Sequence, residues 1–75
     1  MNFIELTGKQ LLEVVHGCGP SPQELLRVGV TDHSIVRVNR QGDIELRRAD
    51  RWDVIGGLLG DFEVRVKKAT GRDWA

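Results

Sequence analysis

Two short stretches hold the side chains best suited to chemistry. His16-Gly17-Cys18 sets an imidazole two residues from a thiol, and Asp32-His33 adds a carboxylate and a second imidazole. A thiolate beside an imidazole makes a nucleophile pair, and His, Cys and Asp all ligate zinc. Neither stretch has the spacing such chemistry uses. A structural zinc site pairs its ligands tightly, and a chain with one cysteine has no Cys-x-x-Cys. Cys18 also follows a predicted helix, whereas a helix N-terminus is what lowers a thiol pKa. Cys18 therefore reads as a small buried apolar residue, and His33 as a loop residue ahead of a strand. Gly56-Gly57 follows Val54-Ile55 but lacks the Lys-Ser/Thr pair that holds phosphate and Mg²⁺. No catalytic residue, metal site or cofactor is expected, and the chain reads as a non-enzyme.

A second group is the arginines of the middle third: Arg37, Arg40, Arg47, Arg48 and Arg51. Arginine's planar fork suits phosphate and carboxylate better than lysine does, and an arginine-bearing β-ribbon can contact phosphates or base edges. Asp43, Glu45 and Asp50 lie among them and leave residues 35–51 at a net charge of +2, against −2 for residues 1–34 and balance for residues 52–75. The whole chain has 11 Lys+Arg against 11 Asp+Glu, whereas a general polyanion binder carries a clear positive excess. Tyr is absent and Phe occurs only at positions 3 and 62, so aromatic residues for base stacking are scarce. A small nucleic-acid-binding protein using these five arginines is the alternative function.

The elements that must position these residues fit in one small domain, residues 1–75. With 40% hydrophobic and 29% charged residues the composition is that of a folded chain, not a disordered one. A core of this size yields only about 3–5 kcal/mol of net stability. Small chains often add disulfides, metals or partner subunits. Here a disulfide within the chain is impossible, which favours tight packing or self-association. No apolar run approaches the ~20 residues of a membrane span, so no membrane partner is expected. The segment Met1 to Leu6 lacks the charged start and apolar stretch of a secretory signal. Together with the lone thiol this predicts a reducing, cytoplasmic location.

Along the chain, Phe3-Ile4-Glu5-Leu6 predicts a short strand. Thr7 with Gln10 makes a capping box for a first helix that Gly17 can end. Ser21-Pro22-Gln23-Glu24 starts a second, short helix closed by Gly29. Ile35, Val36 and Val38 then lead into Asn39-Arg40-Gln41-Gly42, with Ile44 and Leu46 beyond, the pattern of a hairpin over about 34–48 with glycine in the bulge position. The expected register sets Val38 against Ile44, Arg37 against Glu45 and Val36 against Leu46.

The last third predicts one long helix over about 50–70. Asp50 and Asp53 mark its start. Ile55, Leu58, Leu59, Phe62, Val66 and Ala69 form its buried stripe, with Trp52 at the edge of that stripe. Asp61 with Arg65 and Glu63 with Lys67 are acid-before-base pairs, and Gly71 is the stop. The fold class is α+β: a short N-terminal strand, one or two short helices, a hairpin, and the long helix packed on a small sheet. The alternative ends the chain on a strand at about 62–67, where Phe62, Val64 and Val66 alternate with charge, in the β-α-β-β-α-β ferredoxin-like order.

The long helix would carry Gly56, Gly57, Gly60 and Val64 on the side away from its buried stripe. Small residues on a helix let a second backbone come close. Either the first helix of the same chain covers that face, or a partner does. Trp74, almost at the end of the chain, either folds back or meets the partner. The expected function is a small intracellular binding or assembly module without catalytic activity. It self-associates or docks another protein through Gly56, Gly57, Gly60, Val64 and Trp74.

Overall fold

A computed structural model of the chain describes residues 2–74. The elements run β1 (Phe3–Thr7), α1 (Gly8–Val14), α2 (Pro22–Arg27), β2 (Ile35–Asn39), β3 (Asp43–Arg47), β4 (Trp52–Gly57) and α3 (Phe62–Thr70). The strands form one antiparallel sheet in the order β1-β2-β3-β4. The class is α+β.

Alternation along the strands decides which face is covered. Ile4 and Leu6 of β1, Val36 and Val38 of β2, and Ile44 and Leu46 of β3 are buried and point to the helices. There they join Leu11, Val14, Leu25, Leu58, Phe62 and Val66 in one continuous core. The intervening residues (Phe3, Glu5, Thr7; Ile35, Arg37, Asn39; Asp43, Glu45, Arg47) form the outer face, as expected for an antiparallel sheet with one side packed.

Local chemistry accounts for most boundaries. The Thr7 hydroxyl accepts from the Gln10 amide at 3.1 Å, and the Gln10 side chain accepts from the Thr7 amide at 2.9 Å. Ser21 caps α2, with Pro22 at the first helical position. In the β2–β3 turn the Asn39 carbonyl accepts from the Gly42 amide at 3.1 Å, and Gly42 has φ +91, which only glycine adopts without strain. The β2–β3 register is Val36 to Leu46, Arg37 to Glu45 and Val38 to Ile44, as the sequence predicts.

The long helix over 50–70 is not formed. Its first third is the strand β4, and the helix begins only at Phe62. Three helical glycines would have cost about 1 kcal/mol each relative to alanine. Without β4, moreover, β3 would be an edge strand with a full row of unpaired backbone groups. Gly60 has φ +70, which ends any helix approaching it from the N-terminal side. Asp50 lies in the β3–β4 turn instead of starting a helix, and Asp53 lies on β4 beside Arg48. Leu59, placed in the buried stripe, is 76% exposed. The alternative final strand over 62–67 is also absent, because Phe62, Val66 and Ala69 keep a helical stripe in α3. The Asp61–Arg65 pair forms at 3.3 Å, whereas Lys67 pairs with Asp73 at 3.3 Å. Gly71 is the stop, in the left-handed conformation.

Candidate binding surface: the outer face and free edge of the sheet

The sheet disperses the residues expected to form one docking face. Gly56 and Gly57 lie on β4, Gly60 lies in the link to α3, and Val64 is 65% exposed on α3. Gly56 sits opposite Ile44 on the packed side, where an added Cβ would come within 3.2 Å of Pro20 Cγ. Its small size thus serves contact within the chain. Trp74 is 2% exposed, covered within the chain: its indole N–H donates to the Val38 carbonyl at 2.8 Å, and its ring meets Phe62 edge to face at 6.3 Å. A glycine-rich helix face therefore does not exist, because the residues that would make it belong to a strand, a turn and a shorter helix.

What does exist is an open sheet face built by the same alternation that builds the core. Glu5 on β1, Arg37 on β2, Glu45 on β3 and Val54 on β4 form one cross-strand row. Arg37 donates to Glu45 Oε1 from Nε at 3.0 Å and from Nη2 at 2.8 Å. Its guanidinium carbon stands 3.9 Å from the centroid of the Phe3 ring and 4.2 Å from that of Trp52. Phe3 belongs to β1 and Trp52 to β4, the two margins of the sheet, so a single arginine ties both margins together across β2 and β3. Each such contact is worth about 0.5–2 kcal/mol, depending on how far it is desolvated. Trp52 is thus half-buried on the outer face and not in the core as expected. The missed residues are Phe3 and Trp52. Their signal was alternation, Phe3 with Glu5 and Trp52 with Val54, each out of phase with buried neighbours.

The five arginines separate. Arg37 is held by Glu45, Arg48 donates to Asp53 Oδ2 from Nε at 3.1 Å and Nη2 at 2.9 Å, and Arg51 pairs with Asp50 at 3.2 Å. Arg40 is exposed at the opposite end of the β2–β3 hairpin, and Arg47 is exposed opposite Trp52. Only Arg40 and Arg47 of the five have no ion-pair partner among the described residues. Three local neutralisations leave little field to concentrate a polyanion.

The edge of β4 is the other feature. Among the described residues β4 pairs with β3 and has no strand on its far side, just as β1 has none beyond its own outer edge. The Arg48 amide donates to the Arg51 carbonyl at 2.7 Å, so the alternation of an antiparallel ladder turns the backbone groups of Trp52 and Val54 to the open side. Val54 is 63% exposed. Residue Ile55 is bulged out of register, since Glu45 faces Val54 while Ile44 faces Gly56. The edge lacks the lysine or proline that commonly blocks strand addition. Its single charge, Asp53, is already compensated by Arg48.

The first stretches considered for chemistry are not assembled. The Cys18 thiol is buried and donates to the Val14 carbonyl at 3.1 Å, while the His16 and His33 side chains are exposed. Among the described residues no three His, Cys, Asp or Glu side chains gather as metal ligands. Among the described residues no helix is long and apolar enough to cross a membrane. Comparison with family models, with curated proteins and with solved structures finds no match to this chain.

Proposed function

We propose that the chain is a small, non-catalytic cytoplasmic assembly module that self-associates by adding a second copy of β4 to its own free edge. The observation that supports this reading is the open stretch of the edge at Trp52–Val54: outward backbone groups at Trp52 and Val54, an exposed valine, and no uncompensated charge. An antiparallel pairing about a two-fold axis is self-complementary here. It sets the outward backbone groups of Trp52 in one copy against those of Val54 in the other, and the two Asp53 side chains meet at the axis without repulsion because each has its Arg48. The Ile55 bulge twists the edge and keeps the paired segment short. The interface therefore falls below the ~1,200 Å² of a standard stable complex, and dimers form in the range of about 0.1–1 mM.

Sedimentation equilibrium between about 10 μM and 1 mM tests this. The wild-type chain is expected to pass from monomer to dimer. Val54→Lys places a charge on the edge and should leave a monomer throughout, with unchanged circular dichroism and a melting temperature within a few degrees of wild type. A wild-type monomer at the highest concentration removes the reading. Val64→Glu, on α3, should leave the dimer intact.

Nucleic-acid contact is the second reading, favoured by the two arginines that have no ion-pair partner among the described residues, Arg47 beside Trp52 and Arg40 at the hairpin end. It requires affinity for a single-stranded oligonucleotide that falls steeply with salt and is lost in Arg40→Ala/Arg47→Ala. The near-neutral surface predicts no binding at ordinary ionic strength.

A further inference from the structure

The Phe3–Arg37–Trp52 arrangement has more parts than a surface ion pair needs. Two rings from opposite margins of the sheet each lie within about 4 Å of one guanidinium. A carboxylate, Glu45, takes two of its N–H groups on one oxygen, and its side chain is only 13% exposed. Rings and a carboxylate around a planar cation are the components by which proteins recognise guanidinium and alkylammonium ligands. The backbone of every wall of this arrangement is held by something other than Arg37. Phe3 sits on a strand whose Ile4 and Leu6 are buried. Glu45 lies between the buried Ile44 and Leu46, and Trp52 is fixed opposite Arg47 by the β3–β4 ladder.

We propose that Phe3, Glu45 and Trp52 form a guanidinium-binding site on the outer face of the sheet, which the chain fills with its own Arg37. The site shares Trp52 with the β4 edge but needs no second copy, and it holds in the monomer. Its ligand class is a planar guanidinium cation, such as the arginine side chain of a partner segment. In the wild-type chain the tethered Arg37 is present at a high effective concentration and keeps free cations out.

The test is rescue by the missing group, at protein concentrations where the chain is monomeric. Arg37→Ala removes the side chain beyond Cβ, and N-ethylguanidinium supplies the lost atoms. Titration into Arg37→Ala should shift the Trp52 indole N–H resonance with saturation in the range of about 1–30 mM, and leave the buried Trp74 indole unmoved. These concentrations lie far below the molar range in which guanidinium unfolds proteins. Ethylammonium, which has the charge but not the planar fork, should bind about tenfold more weakly. Arg37→Ala/Glu45→Gln should also bind about tenfold more weakly. The wild-type chain should give no saturable response. If Arg37→Ala is unfolded alone, N-ethylguanidinium should restore its native spectrum where sodium chloride does not, and Arg37→Gln serves as the second variant. In wild type, the Arg37 Cδ protons should be shifted upfield by the two rings. Absence of saturable binding in both variants, equal binding after Glu45→Gln, or random-coil Arg37 shifts in wild type would each overturn the proposal.

Discussion

Trp74→Ala should unfold most of the population at 37 °C. The side chain is 2% exposed, packs on Phe62 with ring planes at 82°, and donates its indole N–H to the Val38 carbonyl in the middle of the sheet. Truncating a buried tryptophan costs about 3–5 kcal/mol, comparable with the whole net stability of a core this small. At about 4–8 °C per kcal/mol for a domain of this length, the melting temperature should fall by at least ~12 °C. Trp74→Phe keeps a ring against Phe62 but leaves the Val38 carbonyl without that donor, so a loss of about 1–3 kcal/mol is expected. Urea denaturation followed by circular dichroism separates the two variants. A loss below about 1 kcal/mol for Trp74→Ala would mean that the C-terminal segment does not close the core.

Gly8→Ala is expected to have the opposite sign from the usual effect of this substitution in a helix. Alanine normally stabilises a helical position by up to about 1 kcal/mol over glycine. Here an added Cβ would overlap the Thr31 carbonyl oxygen and stand 2.9 Å from its carbon. That neighbour is backbone and cannot rotate away. Relief requires α1 to separate from the loop before β2, where the Gly8 amide donates to the Ser34 carbonyl at 2.8 Å and the Lys9 amide to the Asp32 carbonyl at 3.2 Å. Overpacking together with two strained hydrogen bonds predicts a loss of about 3 kcal/mol or more. Gly57→Ala is the control, because the nearest atom to its added Cβ is the Gly42 carbonyl at 3.9 Å. It should change stability by less than about 0.5 kcal/mol. Equal stability of Gly8→Ala and wild type in urea would place the α1 start away from the Thr31–Ser34 loop.

Where a signal is local and the neighbours agree with it, the residues can be read directly. Thr7 with Gln10, Ser21 with Glu24, and Asn39 with Gly42 each set an element boundary through a bond spanning three residues. The β2–β3 register followed from alternation and from the Arg37–Glu45 pair. The segment from Asp50 to Thr70 misled because Phe62, Val66 and Ala69 do form a helical stripe, and Ile55 and Leu58 extend its period backwards by coincidence. What decides the matter is non-local. β3 needs a partner on its second side, and Pro20 packs against the strand at Gly56. No count of apolar spacings within residues 50–70 contains either fact. The candidate surface was half legible for the same reason. Arg37 and Glu45 face each other across a predicted hairpin, whereas Phe3 and Trp52 reach Arg37 only once β1 and β4 have joined the sheet on either side.

The arginines carry a related lesson about charge. Five of them within residues 35–51 suggest a basic ribbon. In the fold, Arg37, Arg48 and Arg51 have acidic partners within 3.2 Å. The β2–β3–β4 sheet is therefore laced with its own counterions, and the surface left for another molecule is defined more by Val54, Trp52 and bare backbone than by net charge.

A dilution series of amide spectra tests that surface most directly. From about 1 mM down to about 10 μM, the account predicts that resonances of Trp52, Asp53, Val54 and Gly57 move together along one binding curve. Those of Val64 and Lys68 on α3 should stay fixed, and Val54→Lys should abolish the movement. Concentration-dependent shifts centred on α3, or none anywhere in the series, would contradict a docking edge at β4.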